Sequence, residues 1–143
     1  MLKIGLALGG GGVRGLAHIS VLEVLDSMGC KPSVIAGTSM GAIIGALYAS
    51  GISGAEIKRL ARQHVRLKDD KLGNVINKRA EIMKLFSVLS PERARGGLIK
   101  ADKFYNRLFG EFIKNTFEEL EIPLIIIATD YWTAEEIVFK SGE

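Results

Sequence analysis

Residues 33–51 read SVIAGTSMGAIIGALYASG. A short apolar run, 33–37, passes through Gly-Thr-Ser-Met-Gly into a second run, 40–50, that is apolar nearly all round. The first has the length and composition of a buried strand. The second predicts a buried helix that ends at Gly51. Working back, residues 2–8, LKIGLAL, form another apolar run without helical period, again a strand. Four glycines follow, Gly9 to Gly12, and then a helix over 14–28 with Leu16, Ile19, Val21, Leu22, Val24 and Leu25 at its apolar positions, stopped by Gly29 and Pro32. Ser53 and Glu56 make a capping box for a helix over 54–65. The stretch 66–97 is more polar and is read as loops with one amphipathic helix near 78–88. A further helix over 101–112 carries Phe104, Tyr105, Leu108 and Phe112 on one side. IPLIIIATD, 122–130, is a buried strand, and EEIVFKSG, 135–142, is the last one. Strand–helix–strand–helix order with continuous apolar strands predicts an α/β fold, a mainly parallel sheet with helices on both faces.

The chain has 143 residues, enough for one domain with a core. Its net charge of +3 is scattered, and aromatics make up 7% with no basic–aromatic interleaving, so a nucleic-acid surface is not expected. One cysteine, Cys30, excludes an intrachain disulfide and a cysteine metal cluster, and a reducing, cytoplasmic setting fits. The N-terminus lacks a small-residue cleavage site and reads as a strand, not as a signal peptide. Residues 32–55 carry no charge and contain GxxxG spacings at Gly37–Gly41 and Gly41–Gly45. Proline, serines, a threonine and five glycines interrupt that stretch, so it falls short of a membrane span.

Two glycine motifs bear chemistry. Gly10, Gly12 and Gly15 fit G-x-G-x-x-G between a strand and a helix, the setting of a dinucleotide loop. That fold needs an acid at the end of the next strand for the ribose, and this sequence has AGTSMG there. A P-loop is excluded because no Gly-Lys-Ser/Thr follows. Gly37-Thr38-Ser39-Met40-Gly41 is G-x-S-x-G between strand and helix, the setting of a nucleophile elbow; its plainer reading is a small-residue turn for tight packing. In the elbow, Gly37 and Gly41 relieve crowding, and Ser39 is held at the N-terminus of the following helix, where negative charge is favoured. Both loops belong at the carboxyl edge of a parallel sheet, where ligands bind. A serine attacking an ester creates an oxyanion that needs backbone N–H donors about 3 Å away. Glycines let amides approach without side chains in between. The Met40 amide is a further donor.

GGGGVRGLAHISVL followed by IAGTSMGAIIGALYASG resembles the patatin-like phospholipase family. GLIKADKFYNRL and IPLIIIATD…EEIVFKSG match the helix and the strand pair that follow in that family, so the resemblance runs over essentially the whole chain. It implies a three-layer α/β/α domain over 1–143 and hydrolysis of acyl esters in phospholipids or other lipids through an acyl-serine. Ser39 would be the nucleophile, with Gly10, Gly11, Gly12, Arg14 and Gly15 as the oxyanion and substrate loop. No metal and no cofactor is implied. The partners expected are an acyl-lipid substrate and a transient membrane surface, with peripheral membrane localisation.

The family pairs its serine with an aspartate in an Asp-Gly-Gly/Ala motif beyond the ATD strand. This sequence contains no Asp-Gly. Its aspartates are Asp26, Asp69, Asp70, Asp102 and Asp130. Asp130 ends a strand and matches the family's ATD, so a structural role is the first reading and that of base the second. His18 and His64 read as packing or surface residues before they read as bases. The expectation is a patatin-like domain truncated before its acid, with an incomplete C-terminal side that exposes core surface and self-associates. Two other functions stay open: an acyl-carrier-type acyltransferase, and a lipid-binding fragment without catalysis.

Overall fold

The computed structural model describes residues 3–64 and 110–143, without the side chains of 63 and 64. The expected helix near 78–88, most of that over 101–112, and Asp69, Asp70 and Asp102 lie outside the described residues. The chain divides into two compact units, Met1–Arg59 with Phe112–Glu143, and Leu60–Glu111. The first unit contains the sheet and both glycine motifs.

Four strands form that sheet in chain order: β1 (Gly5–Leu8), β2 (Val34–Gly37), β3 (Leu124–Thr129) and β4 (Glu136–Phe139). The pairs β1–β2 and β2–β3 are parallel, and β3–β4 is an antiparallel hairpin. The sheet is therefore mainly parallel, as the strand–helix order implies. Its last strand turns back because the connection after β3 is too short for a crossover.

The register puts Leu6, Ile35 and Leu124 side by side, and likewise Leu8, Gly37 and Ile126. On this face Leu8, Ile35 and Leu124 are buried. The covering helix is α2 (Met40–Ala49), whose Gly45 lies over Ile35, Leu124 and Leu8. Ile44, Leu47, Tyr48 and Ala49 of α2 are buried as well, which is why this helix is apolar all round.

The expected helix over 14–28 is made in two parts. A 3₁₀ segment, Gly12–Ala17, precedes α1 (His18–Ser27). Gly11 at φ 122° and Gly12 at φ 55° cannot start a regular α-turn, so the chain enters the helix through the tighter form. A third helix, α3 (Gly54–His64), begins against α1. A Cβ on Gly54 would lie 2.6 Å from the Glu23 nitrogen, so only glycine allows that approach. Asp26 of α1 joins the three helices. One of its carboxylate oxygens accepts from the Tyr48 hydroxyl at 2.6 Å, and the other from the Gly54 N–H at 2.7 Å. Burial, with the Asp26 carboxylate second, raises the Tyr48 pKa and keeps the phenol protonated. Lys58 pairs with Glu23 at 2.8 Å and adds a second α1–α3 tie. The capping box at α3 is half formed: Ser53 Oγ accepts from the Glu56 N–H at 3.3 Å, while the Glu56 carboxylate turns to Arg59 at 3.4 Å. Residues 110–112, at the end of the helix expected over 101–112, form a turn. Among the described residues no helix is long and apolar enough to cross a membrane.

Candidate active site

The strand–turn–helix at Ser39 is tight because three backbone segments meet there. Thr38 donates its N–H to the Leu8 carbonyl at 3.1 Å, which ties the turn to the end of β1. A Cβ on Gly41 would run into the Leu8 carbonyl oxygen and lie 2.6 Å from that of Gly9. A Cβ on Gly37 would lie 2.6 Å from the Gly41 oxygen and 2.8 Å from the Ala42 nitrogen. Both glycines are thus needed for contact with main chain, which cannot swing away as a side chain can.

Between them Ser39 takes φ 52° and ψ −122°. This conformation costs a residue with a Cβ about 1–3 kcal/mol and persists only where the surroundings impose it. Ser39 is exposed and occupies the N-cap of α2, yet its hydroxyl makes no capping bond. A serine at an N-cap ordinarily gives its oxygen to the helix. Here the Gly41 N–H goes to the Thr38 carbonyl at 3.0 Å, and the Ala42 N–H to the Ser39 carbonyl at 3.0 Å. The side-chain oxygen is left for other work. The Met40 N–H is a first-turn donor that helix geometry leaves without an internal acceptor.

The glycine loop reaches the same place. A Cβ on Gly10 would stand 3.4 Å from Ser39 Cβ and 4.0 Å from its Oγ. Nothing lies within 4 Å of where Gly9 and Gly12 would carry one. The Gly10 backbone therefore flanks the serine. Gly15 seats the 3₁₀ segment on α2, because a side chain there would fall 2.7 Å from Met40 Cβ and Cγ. Arg14 is exposed, and its N–H closes the loop on the Gly11 carbonyl at 3.1 Å. Among the described residues no carboxylate pairs with its guanidinium.

Sequence reasoning missed one contributor. His18, weighed there as a packing residue or a base, has its Nε2 2.9 Å from the Gly9 carbonyl. With that nitrogen protonated, the ring donates and holds the loop from the first turn of α1. The signal was a histidine nine residues beyond the first loop glycine, on the face of the helix that returns toward the loop.

Asp130 follows β3 at the same sheet edge, but its carboxylate is committed. Oδ1 accepts from the Trp132 N–H at 2.7 Å and from the Thr133 N–H at 2.9 Å. These two bonds, Thr133 first, hold its pKa below the usual aspartate range. A folded pKa below the unfolded one contributes stability above the unfolded value and loses it as pH falls through the folded value. Hydrogen-exchange protection of the Trp132 and Thr133 amides should therefore hold from neutral pH down to the ordinary aspartate range and drop below it. Asp130→Asn should flatten that profile. Equal acid sensitivity in both proteins would show that the carboxylate does not hold the turn.

A mainly parallel α/β sheet with a strained G-x-S-x-G turn and a glycine loop at one edge defines the class of fold. Comparison with known proteins makes it specific. The family model for patatin-like phospholipase matches residues 6–142, and the chain belongs to that family. It is 30% identical over 139 residues to human patatin-like phospholipase domain-containing protein 6, covering 97% of this chain and 9% of that protein. An uncharacterized NTE family protein of Mycobacterium tuberculosis is 30% identical over 140 residues, 98% of this chain and 34% of its own length. Lysophospholipase NTE1 of Coccidioides immitis is 56% identical over 47 residues, 33% of this chain and 3% of that protein. The chain thus spans about a third or less of these relatives. Among solved structures, full-length ExoU in complex with SpcU, from the type III secretion system of Pseudomonas aeruginosa, aligns with a TM-score of 0.56 at 22% identity. The alignment covers 96% of this chain and 35% of that one.

Proposed function

We propose that this chain contributes the nucleophile and the oxyanion loop of a serine-dependent acyl-lipid hydrolase. The observation that carries the reading is the approach of Gly10 to the side chain of a strained, uncapped Ser39. Ser39 Oγ attacks the ester carbonyl carbon, and the carbonyl oxygen becomes the oxyanion. Amides of Gly10, Gly11 and Gly12, with that of Met40, are the donors for it. Gly15 and Gly37 with Gly41 fix the two loops, and Arg14 adds positive charge beside the glycines. The C–O bond to the alcohol breaks, the alcohol leaves with the proton taken from Ser39, and water then hydrolyses the acyl-serine. The mechanism asks for no metal or cofactor.

The base is assigned to a carboxylate other than the two described aspartates. Asp26 is engaged by Tyr48 and Gly54, and Asp130 by its own turn, which also lowers its basicity. Residues 1–143 then form one patatin-like domain, and none of them makes the Asp-Gly motif that supplies the acid in the resembled family. The relatives' names support a lipid ester as the substrate class.

The test is reaction with a fluorophosphonate, located by peptide mass spectrometry. Ser39 should be labelled ahead of the other serines, and the label should vanish in Ser39→Ala. Labelling of Ser39 no faster than that of exposed Ser53 would refute the assignment.

A further inference from the structure

The hairpin between β3 and β4 ends in two exposed aromatic side chains. Trp132 is 89% exposed and Tyr131 70%. Their rings meet edge to face, with centroids 5.3 Å apart, so neither is tucked back on the sheet. Leaving a tryptophan and a tyrosine in water is costly unless something else receives them.

The turn that carries them is firmly built. Asp130 accepts from the Trp132 and Thr133 amides, the Asp130 N–H reaches the Glu135 carbonyl at 2.9 Å, and the Ala134 N–H the Asp130 carbonyl at 3.0 Å. An anchor on such a turn loses little freedom when it docks.

Its place in the sheet gives direction. β2 and β3 are parallel, so the end of β3 shares an edge with the Ser39 turn. Gly37 pairs with Ile126, and β3 continues to Thr129, three residues further (129 − 126). At about 3.3 Å per residue the strand passes the level of Gly37 by roughly 10 Å before the turn begins. The aromatic tip projects beyond the strand end that leads to the serine, on that side of the sheet.

We propose that Tyr131 and Trp132 form an interfacial anchor that seats this edge on a lipid surface. Amphipathic rings favour the boundary between headgroups and acyl chains. The tip carries Asp130, Glu135 and Glu136 and no basic residue from 129 to 137. Attraction to anionic headgroups is thereby excluded as its driving force, and the surface it fits is zwitterionic. The proposal rests on the hydrolase reading only in taking an acyl lipid as substrate.

Trp132 is the single tryptophan of the chain, so its emission reports the tip directly. With the full chain and phosphatidylcholine vesicles, the emission should shift to the blue and be quenched by lipids brominated on the upper acyl chain. Partition should be indifferent to salt. It should weaken about tenfold in Tyr131→Ser, a change at an exposed site that spares the fold. Ser39→Ala should partition like the unaltered chain, so loss of the serine chemistry and loss of the anchor are separate results. Emission that stays at its aqueous position with vesicles overturns the proposal. So does a blue emission that exists before vesicles are added and fades on dilution, which would place a second copy over the tip. A shift seen with anionic vesicles alone and abolished by salt also overturns it.

Discussion

Gly41→Ala is expected to be among the most damaging single-methyl changes in the chain. Inside a helix, alanine in place of glycine stabilises by up to about 1 kcal/mol. At position 41 the new methyl runs into the Leu8 carbonyl oxygen and stands 2.6 Å from that of Gly9. Those atoms end β1 and begin the glycine loop, and Leu8 O already accepts from Thr38. Relief therefore requires β1 or α2 to move, at a cost of about 3 kcal/mol or more. The clash outweighs the propensity gain. For a domain of this size the net loss lowers the unfolding temperature on the order of 10 °C. Gly45→Ala on the same helix is the control. There the methyl meets side chains, Ile35 Cγ2 at 3.1 Å and Leu124 Cδ1 at 3.4 Å, which adjust by small rotations. Its unfolding temperature should stay close to that of the unaltered chain. Thermal unfolding of the two variants side by side decides the matter, and equal temperatures would mean that the turn is looser than described.

Ser39 should react with a fluorophosphonate far faster than any other serine, even without a paired acid. Oxyanion donors and binding alone leave serine hydrolases with roughly 10³–10⁴-fold catalysis over water when a catalytic partner is removed. On the proposed reading, Ser39 keeps this residual effect. Its oxygen is uncapped, its backbone is held at φ 52°, and a Cβ built on Gly10 would stand 3.4 Å from its own Cβ. A selectivity on the order of 10³ over exposed Ser53 follows. Timed labelling with site mapping measures it. Addition of an acid partner would raise the rate further but is not needed to see the preference.

The sheet was legible because its strands are continuous apolar runs, and β1, β2 and β3 fall inside the stretches read for them. The serine turn was legible for a similar reason. Glycines two positions either side of a serine, between a strand and an all-apolar helix, leave few backbone arrangements. The start of α1 was not legible in detail. Periodicity from Arg14 onward cannot tell a 3₁₀ turn from an α-turn, and the positive φ of Gly11 and Gly12 decides between them. His18 was missed because its partner is a backbone carbonyl, which carries no residue signature. The hairpin sense of β4 hides in a short connection, and the role of Asp130 in bonds to amides two and three residues ahead. The Asp130 role follows from local turn chemistry that hydrophobic pattern does not report.

The central claim is that the glycine loop and the serine turn make one site. Gly10→Ala tests it most directly. The methyl has room, at ordinary contact distance from Ser39 Cβ and 4.0 Å from Oγ, so the fold should persist. It nevertheless occupies the space beside the hydroxyl where the reacting group must lie. Phosphonylation of Ser39 should fall by a factor on the order of 10² while the unfolding temperature stays near that of the unaltered chain. Labelling at an unchanged rate would contradict the account and leave Ser39 a strained turn with no cradle around it.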